Sequence, residues 1–436
     1  MKPVKDISDV TCAIIDYGTF QCVSEAMGRV CAKTYFYSPW ESEYRDIKTC
    51  CIGEGLEYVE RLNQPLDPEV FDKIDLWIFP DIGFGGFQKF LRKQNKAVWG
   101  SMGADSLELF RDEFLKVVKS LGLPIINSVR IQGLTKLEAH LKTVKDKWVK
   151  VNRFRANMET WKHIDMAHSI RKLEAMAVDF GGMQELVTFI VQDVIDSDVE
   201  IGFDGWCVDG KYPDSSFSGY ERKNELYLGS LLDYGKLPEP VRLVNQKFAA
   251  VFKQYGYRNF MATEIRMQGK TPHFIDPTFR LPGQTGEHLF TTCSNMPDVI
   301  WQGANGIIIK PEWEAKFALE ATLHYTGDCD AWKTLRVPEE IEQWVKLYHY
   351  CMVDGIYQFP TRKGQGSDEL GVVCGVGDSI EKAFAHLMLN FGKMKDEPVS
   401  IESEEFAHLI KEVDEAEAHG IEFTSQPVPP PEIALE

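Results

Sequence analysis

The first hundred residues alternate short apolar runs with helix-compatible stretches, and few folds tolerate that rhythm. Val10–Asp16 reads VTCAIID, ends on Asp16 and is followed by Gly18. A helix-compatible stretch runs to about Ala32, Thr34–Tyr37 is a second strand candidate, and Asp75–Pro80 and Ala97–Gly100 supply two more. Parallel strands need a crossover, which a helix supplies, so the alternation predicts a parallel sheet flanked by helices. The 436 residues leave room for roughly two to four domains.

Further along, Ser106–Leu121 predicts one helix, with Leu107, Phe110, Phe114, Leu115, Val117 and Val118 on one face and Gly122-Leu123-Pro124 ending it. Strands are expected at Ile125–Ile131 and Trp148–Val151, with a helix at Lys136–Val144 between them. Thr188–Val208 reads as two strands joined at Asp196-Ser197, and Pro240–Tyr255 as a long helix. Beyond about residue 300, Glu312–Leu323 is helix-like, Leu370–Val373 strand-like and Ser379–Leu389 helical, with Ser379 as N-cap. The last stretch, SQPVPPPEIALE, is proline-rich and predicts a mobile tail.

Composition narrows the function classes. A formal net charge of -18 repels nucleic acid and anionic membranes, and no Lys/Arg cluster offers a polyanion groove. The start MKPVKDISDV lacks the apolar core of a signal peptide, and no apolar run approaches a membrane span. Ten cysteines without a Cys-x-x-Cys pair read as reduced, mostly buried thiols, and a cytoplasmic location is expected. His163 and His168 lack any paired ligand pattern and read as packing or surface residues.

The chemistry concentrates in TEIRMQGKTPHFIDPTFR, residues 263–280. Gln268-Gly269-Lys270 reads as a turn between two strands. If the turn centres on Lys270, Glu264 lies opposite Asp276, and strand alternation places Arg266, Thr278 and Arg280 on the same face. Two carboxylates across a ladder repel, and a hard divalent cation between them removes that penalty. A solvated face with two unrelated acids would produce the same spacing.

The spacing of Glu264, Asp276, Thr278 and Arg280 resembles the metal-binding hairpin of the ATP-grasp superfamily. That resemblance implies that Glu264 and Asp276, with Thr278, hold Mg²⁺ (or Mn²⁺) against ATP, and that Arg280 acts as a catalytic residue steadying an acyl-phosphate. It also implies an α/β chain with an α+β ATP-grasp core: a Rossmann-like domain over 1–104, an ATP-grasp domain over 105–305 with a lid at about 125–190, a small C-terminal α/β domain over 306–424 and a flexible tail over 425–436. Lys150, in Val149-Lys150-Val151, resembles the strand lysine that contacts ATP phosphate, and Arg111 stands where relatives carry an earlier phosphate-binding lysine. Gln192-Asp193-Val194-Ile195 resembles the linker that binds adenine through its backbone, with Asp198 or Glu200 facing the ribose. Asp75–Pro80, Val98-Trp99-Gly100, Leu107-Glu108 and Gly371–Leu387 are most similar to the phosphoribosylamine–glycine ligases.

Two departures stand out. The family's glycine-rich phosphate loop is replaced after Lys150 by VNRFRANMETW, in which Arg153 and Arg155 could serve as phosphate donors. The glycine-rich N-terminal loop is reduced to Asp16-Tyr17-Gly18-Thr19, while Gly83-Phe84-Gly85-Gly86 could line a substrate cleft or simply form a turn. The reduced loop predicts that phosphoribosylamine is a poor substrate. The expectation is an ATP-dependent ligase joining a small-molecule carboxylate to an amine. The alternative is a non-catalytic, nucleotide-binding descendant that serves in assembly or regulation.

Overall fold

The computed structural model describes residues 5–39, 52–153, 160–196, 199–283, 285–327, 332–359, 369–418, 421 and 423. Asp198, Arg155 and the expected tail therefore lie outside the described residues.

The chain opens with β1 (Thr11–Ile15), α1 (Gln21–Gly28), β2 (Lys33–Tyr37), β3 (Glu60–Arg61), β4 (Leu76–Ile78), α2 (Gly85–Lys93) and β5 (Ala97–Trp99). All pairings are parallel, in the order β3-β2-β1-β4-β5. The central strands β1 and β4 are short and buried on both faces, as a helix-covered parallel sheet requires, while the edge strand β3 is not.

Then come α3 (Ser106–Leu109), α4 (Arg111–Ser120), β6 (Ser128–Gln132), α5 (Leu134–Leu141), β7 (Lys147–Val151), β8 (Thr160–His163), α6 (Met166–Phe180) and β9 (Thr188–Asp193). The expected single helix over Ser106–Leu121 is broken at Phe110, whose φ of -120° and ψ of 93° are extended. The four strands form their own antiparallel sheet, β6-β9-β7-β8. Its core joins Val149, Val151, Phe189 and Val191 to Leu137 and Leu141 of α5 and Leu173 and Met176 of α6.

The remaining elements begin with β10 (Val199–Val208), β11 (Ser215–Arg222), β12 (Leu226–Asp233), α7 (Glu239–Tyr255), β13 (Arg258–Gln268) and β14 (Thr271–Thr278). They continue through α8 (Leu289–Thr292), α9 (Met296–Ala304), β15 (Phe317–Tyr325), β16 (Lys333–Leu335), β17 (Val345–Leu347), β18 (Cys351–Val353) and β19 (Ile356–Phe359). The last are β20 (Glu369–Gly377), α10 (Ile380–Gly392), β21 (Val399–Ser400) and α11 (Phe406–Ala418). The largest sheet runs β14-β13-β10-β11-β12-β15-β20-β17, with β21 beside β15, and β16, β19 and β18 form a small separate sheet.

The expected helix at Glu312–Leu323 is instead strand β15. Its Ala, Leu and Glu residues favour helix, but the strand is central and buried along most of its length, and tertiary burial overrides that preference. Ser379 does cap α10, accepting a hydrogen bond from the Lys382 N–H.

By internal contacts the chain divides into two units. The smaller comprises Ala104–Glu200 and Glu264–Pro277; the larger comprises the rest. No described helix is long and apolar enough to cross a membrane.

Candidate functional site

Strand alternation builds the site of the smaller unit. On β7, Val149 and Val151 point into the core, so Lys150 must point to the other face. Lys150 is paired with Ile190 of β9, and Trp148 with Gln192, so Ile190 and Gln192 share the face of Lys150 while Phe189 and Val191 enter the core. Lys150, Ile190 and Gln192 accordingly line one open cleft, with Glu108, Arg111 and Asp276 as its other charged walls. Leu107, Phe114, Leu115, Ile275 and Pro277 complete it. Phe114 is fixed from behind by an edge-to-face contact with Phe274, at 5.0 Å between centroids.

The break at Phe110 positions Arg111. It makes Arg111 the first residue of α4, whose backbone N–H donates to the Asn152 carbonyl at 3.2 Å. The Asp112 N–H donates to Asn152 Oδ1 at 2.9 Å, and Asn152 Nδ2 donates back to Asp112 Oδ1 at 3.0 Å. Asn152 immediately follows β7, so the start of α4 is tied two residues beyond Lys150. Arg153 lies over the Phe110 ring at 5.0 Å, a cation–π contact that occupies one of the two expected lid arginines.

Arg111 Nη1 donates to Asp276 Oδ1 at 3.1 Å. One expected phosphate-binding cation and one expected metal ligand thus meet in the cleft. Asp276 is 41% exposed, so water screens the pair, which is worth no more than about 1 kcal/mol to the fold.

The other expected residues fall nearby but do not line the cleft. Asp193 accepts from Lys147 Nζ at 2.7 Å and from Asn127 Nδ2 at 2.9 Å. The Lys147 bond, with help from Asn127, holds the Asp193 carboxyl below its ordinary range. Val194 is exposed and Ile195 half-buried. Glu200 accepts from Arg266 Nη2 at 2.6 Å. Glu264 is half-buried between the buried Thr263 and Ile265. Its strand β13 adjoins β14, the strand of Asp276, and the turn between them is Gly269-Lys270. Among the described residues no three His, Cys, Asp or Glu side chains gather as a metal site, so any cation here would draw its remaining oxygens from water or a ligand.

In the larger unit, Arg280 is mostly buried, with Nε 3.8 Å from Asp81 Oδ1 and its guanidinium over Phe20 at 5.9 Å. Thr278 is half-buried. Back in the smaller unit, His163 is buried against Ser169 Oγ at 2.7 Å and the Val144 carbonyl at 3.1 Å, and exposed His168 lies 2.7 Å from Asp165.

A second cluster in the larger unit has no counterpart among the expectations. Glu287, His288, Glu320 and Asp204 are buried together. His288 Nδ1 lies 2.6 Å from Glu320 Oε1, which also accepts from the His288 backbone N–H. Tyr348 donates to Glu287 at 2.9 Å and Tyr227 to Asp204 at 2.7 Å. Burial, then the Glu320 charge, pushes the Glu287 carboxyl up to about 8. Burial likewise raises Glu320 and Asp204, and lowers His288 to about 4. Apart from the adjacent Glu287 and His288 the residues come from separate stretches of chain, so no local pattern announces the cluster.

Neither a family model nor a curated protein matches this sequence. The fold nevertheless defines a class: it is the ATP-grasp fold, shared with solved carbon–nitrogen and carboxylating ligases. The phosphoribosylamine–glycine ligase of Thermotoga maritima is similar over 90% of this chain and 98% of its own, with a TM-score of 0.65 and 14% identity. The biotin carboxylase domain of the Hydrogenobacter thermophilus 2-oxoglutarate carboxylase, solved with MgADP and bicarbonate, covers 95% of this chain and 96% of its own (TM-score 0.62, 12% identity). The L-amino acid ligase of Bacillus licheniformis covers 91% and 99% (TM-score 0.57, 16% identity). Identities this low speak for the fold alone.

Proposed function

We propose that the chain is an ATP-dependent carboxylate–amine ligase, and the observation that carries this reading is the cleft. Its apolar walls suit a nucleobase, and Arg111 and Lys150 suit a polyphosphate. The backbone of Gln192, Asp193, Val194 and Ile195 would hold adenine, with Glu200 or Asp198 on the ribose. Glu264, Asp276 and Thr278 are all oxygen donors and fit Mg²⁺ or Mn²⁺, which when bound supplies neutralising charge beside the phosphates.

In the proposed reaction a substrate carboxylate oxygen attacks the γ-phosphorus and ADP departs, leaving an acyl-phosphate. The amine nitrogen then attacks the acyl carbon, phosphate leaves, and the nitrogen gives up a proton as the amide forms. No protein nucleophile is needed. Lys150 and Arg111 would hold phosphoryl oxygens in place and offset their charge, which is most of what phosphoryl transfer asks of a protein. Arg280 would steady the acyl-phosphate, its guanidinium oriented by Asp81. In the resting cleft Arg111 is committed to Asp276, so nucleotide binding would exchange that carboxylate for phosphate.

Incubating the protein with Mg²⁺-ATP and mixtures of carboxylate and amine metabolites tests the reading. ADP release that requires both metabolites supports it. Tight ATP binding without release under any mixture would favour the nucleotide-binding assembly or regulatory protein, the reading that the glycine-free segment after Lys150 supports.

A further inference from the structure

In an open parallel sheet, ligands meet the crevice at the carboxyl ends of the two strands where the order reverses. Here those strands are β1 and β4, with β2 on one side and β5 on the other. An anionic substrate group would be received there by backbone amides of the loop that leads from β1 into α1.

Two of those loop amides are already taken. Asp16, the residue after β1, is fully buried, and its Oδ2 accepts from the Gly18 N–H at 2.8 Å and from the Phe20 N–H at 2.8 Å. Its Oδ1 is enclosed without a hydrogen-bond partner among the described residues. The loop is also locked from outside. The His349 N–H donates to the Gly18 carbonyl at 2.7 Å, and His349 Nδ1 lies 3.1 Å from the Tyr17 carbonyl. Gly18 has φ +97°, and a Cβ there would come within 2.7 Å of Ile52 and 2.9 Å of His349. The loop therefore cannot readily reshape itself around a guest.

The neighbouring strand end adds a second carboxylate, which faces Arg280 Nε at 3.8 Å. Asp81, just beyond β4, is buried, and its charge, after burial itself, raises the Asp16 carboxyl. Tyr17 and Phe84 stack at 5.1 Å across the same strand ends.

We propose that Asp16 is a specificity-determining residue: its carboxyl group occupies the place of a substrate phosphate, so the amine substrate of this enzyme is an unphosphorylated, neutral or cationic amine. The proposal rests on the ligase reading for the word substrate, but the exclusion of phosphate is a property of the loop and can be measured without turnover.

The direct test titrates inorganic phosphate and ribose 5-phosphate into wild type, Asp16→Gly and Asp16→Asn, following the Gly18 and Phe20 amide resonances. Wild type and Asp16→Asn, which keeps an acceptor on the same amides, should show no saturable shift at 10 mM on the order of cellular phosphate. Asp16→Gly should bind phosphate at least about tenfold more tightly. Saturable binding to wild type at these amides, or none to a folded Asp16→Gly, overturns the proposal. If Asp16→Gly does not fold, Asp16→Ala, which also removes the acceptor, replaces it, and a second measurement decides independently. ADP release with serine and ethanolamine is compared with release from phosphoserine and phosphoethanolamine. Equal or faster release with the phosphorylated partners overturns the proposal. Absence of release with every amine overturns the ligase reading, while the phosphate titration still decides the role of Asp16.

Discussion

In the smaller unit, the polar side chains of interest ride on strands whose opposite face is core: Lys150 between Val149 and Val151, Gln192 beside Val191. In the larger unit, Glu287, Glu320, Asp204 and Asp16 lie inside the core itself. The first set lines an open cleft, so exchanging its polar contacts for those of a ligand costs the fold little. The second set is desolvated, and its carboxyls are driven toward the protonated form. Changes in the cleft should therefore alter function and spare stability, and changes in the buried cluster should do the reverse.

The largest effect is expected at Lys150. Replacing it with alanine removes a fixed positive charge from the proposed phosphoryl site, and ADP release should fall by roughly 10²–10³-fold. The thermal midpoint should stay within about 2 °C of wild type, because Lys150 contributes no core surface. A comparable loss of midpoint would mean that the cleft face is structural and that the contrast between the units is false.

Next in size is the buried acid pair. Glu287 binds its proton in the folded state up to a pKa of about 8, against an ordinary value of 4.5. Between those limits the unfolded chain has released a proton that the folded chain retains. Stability must therefore fall as pH rises through this window, by at most about 1.4 kcal/mol per pH unit for one group. Glu287→Gln cannot ionise and can still accept from Tyr348. Urea midpoints at pH 5 and pH 8.5 should show little gain at the lower pH and about 2 kcal/mol at the higher. Identical pH profiles for the two proteins would show that the pair does not titrate in this range.

The third effect separates ligand binding from stability at Asp276. Asp276→Asn removes a full negative charge from the proposed cation site, and Mg²⁺-dependent ATP affinity should fall about tenfold, or about 1.4 kcal/mol. Calorimetry on both proteins reads this directly; equal affinity would leave the hairpin purely structural.

Much of the cleft is legible in the sequence because strand alternation is local. Val149-Lys150-Val151 places lysine on the free face whichever strands flank it. The break at Phe110 is not legible. Phe110 fits the apolar stripe of a continuous helix, and only Asn152 and Arg153, some forty residues on, explain why Arg111 starts a new one. Strand β15 was obscured for the opposite reason, since ALEATL scores as helix and only its central place in the sheet reverses that. The buried acids are the least legible. Asp204, Glu287 and Glu320 each look like ordinary surface residues until tertiary packing gathers them. The self-capping of Asp16 was half visible: the loop's shortage of glycine showed, but not that its amides are already bound.

The smallest effect belongs to the ion pair within the resting cleft. Arg111 is only 12% exposed while its partner Asp276 is 41% exposed, so the stem packs as core and the charged end is screened. Arg111→Met keeps an unbranched stem of similar length and deletes only the charge. Its cost to stability should be below about 1 kcal/mol, because the freed Asp276 carboxylate can be hydrated. ATP affinity should nevertheless drop, since one of two cations in the cleft is gone. Paired measurements decide the matter: urea denaturation for stability and calorimetry with Mg²⁺-ATP for binding. A stability loss above about 2 kcal/mol would place the Arg111–Asp276 pair with the buried cluster rather than with the cleft, and would remove the exchange of Asp276 for phosphate from the proposed mechanism.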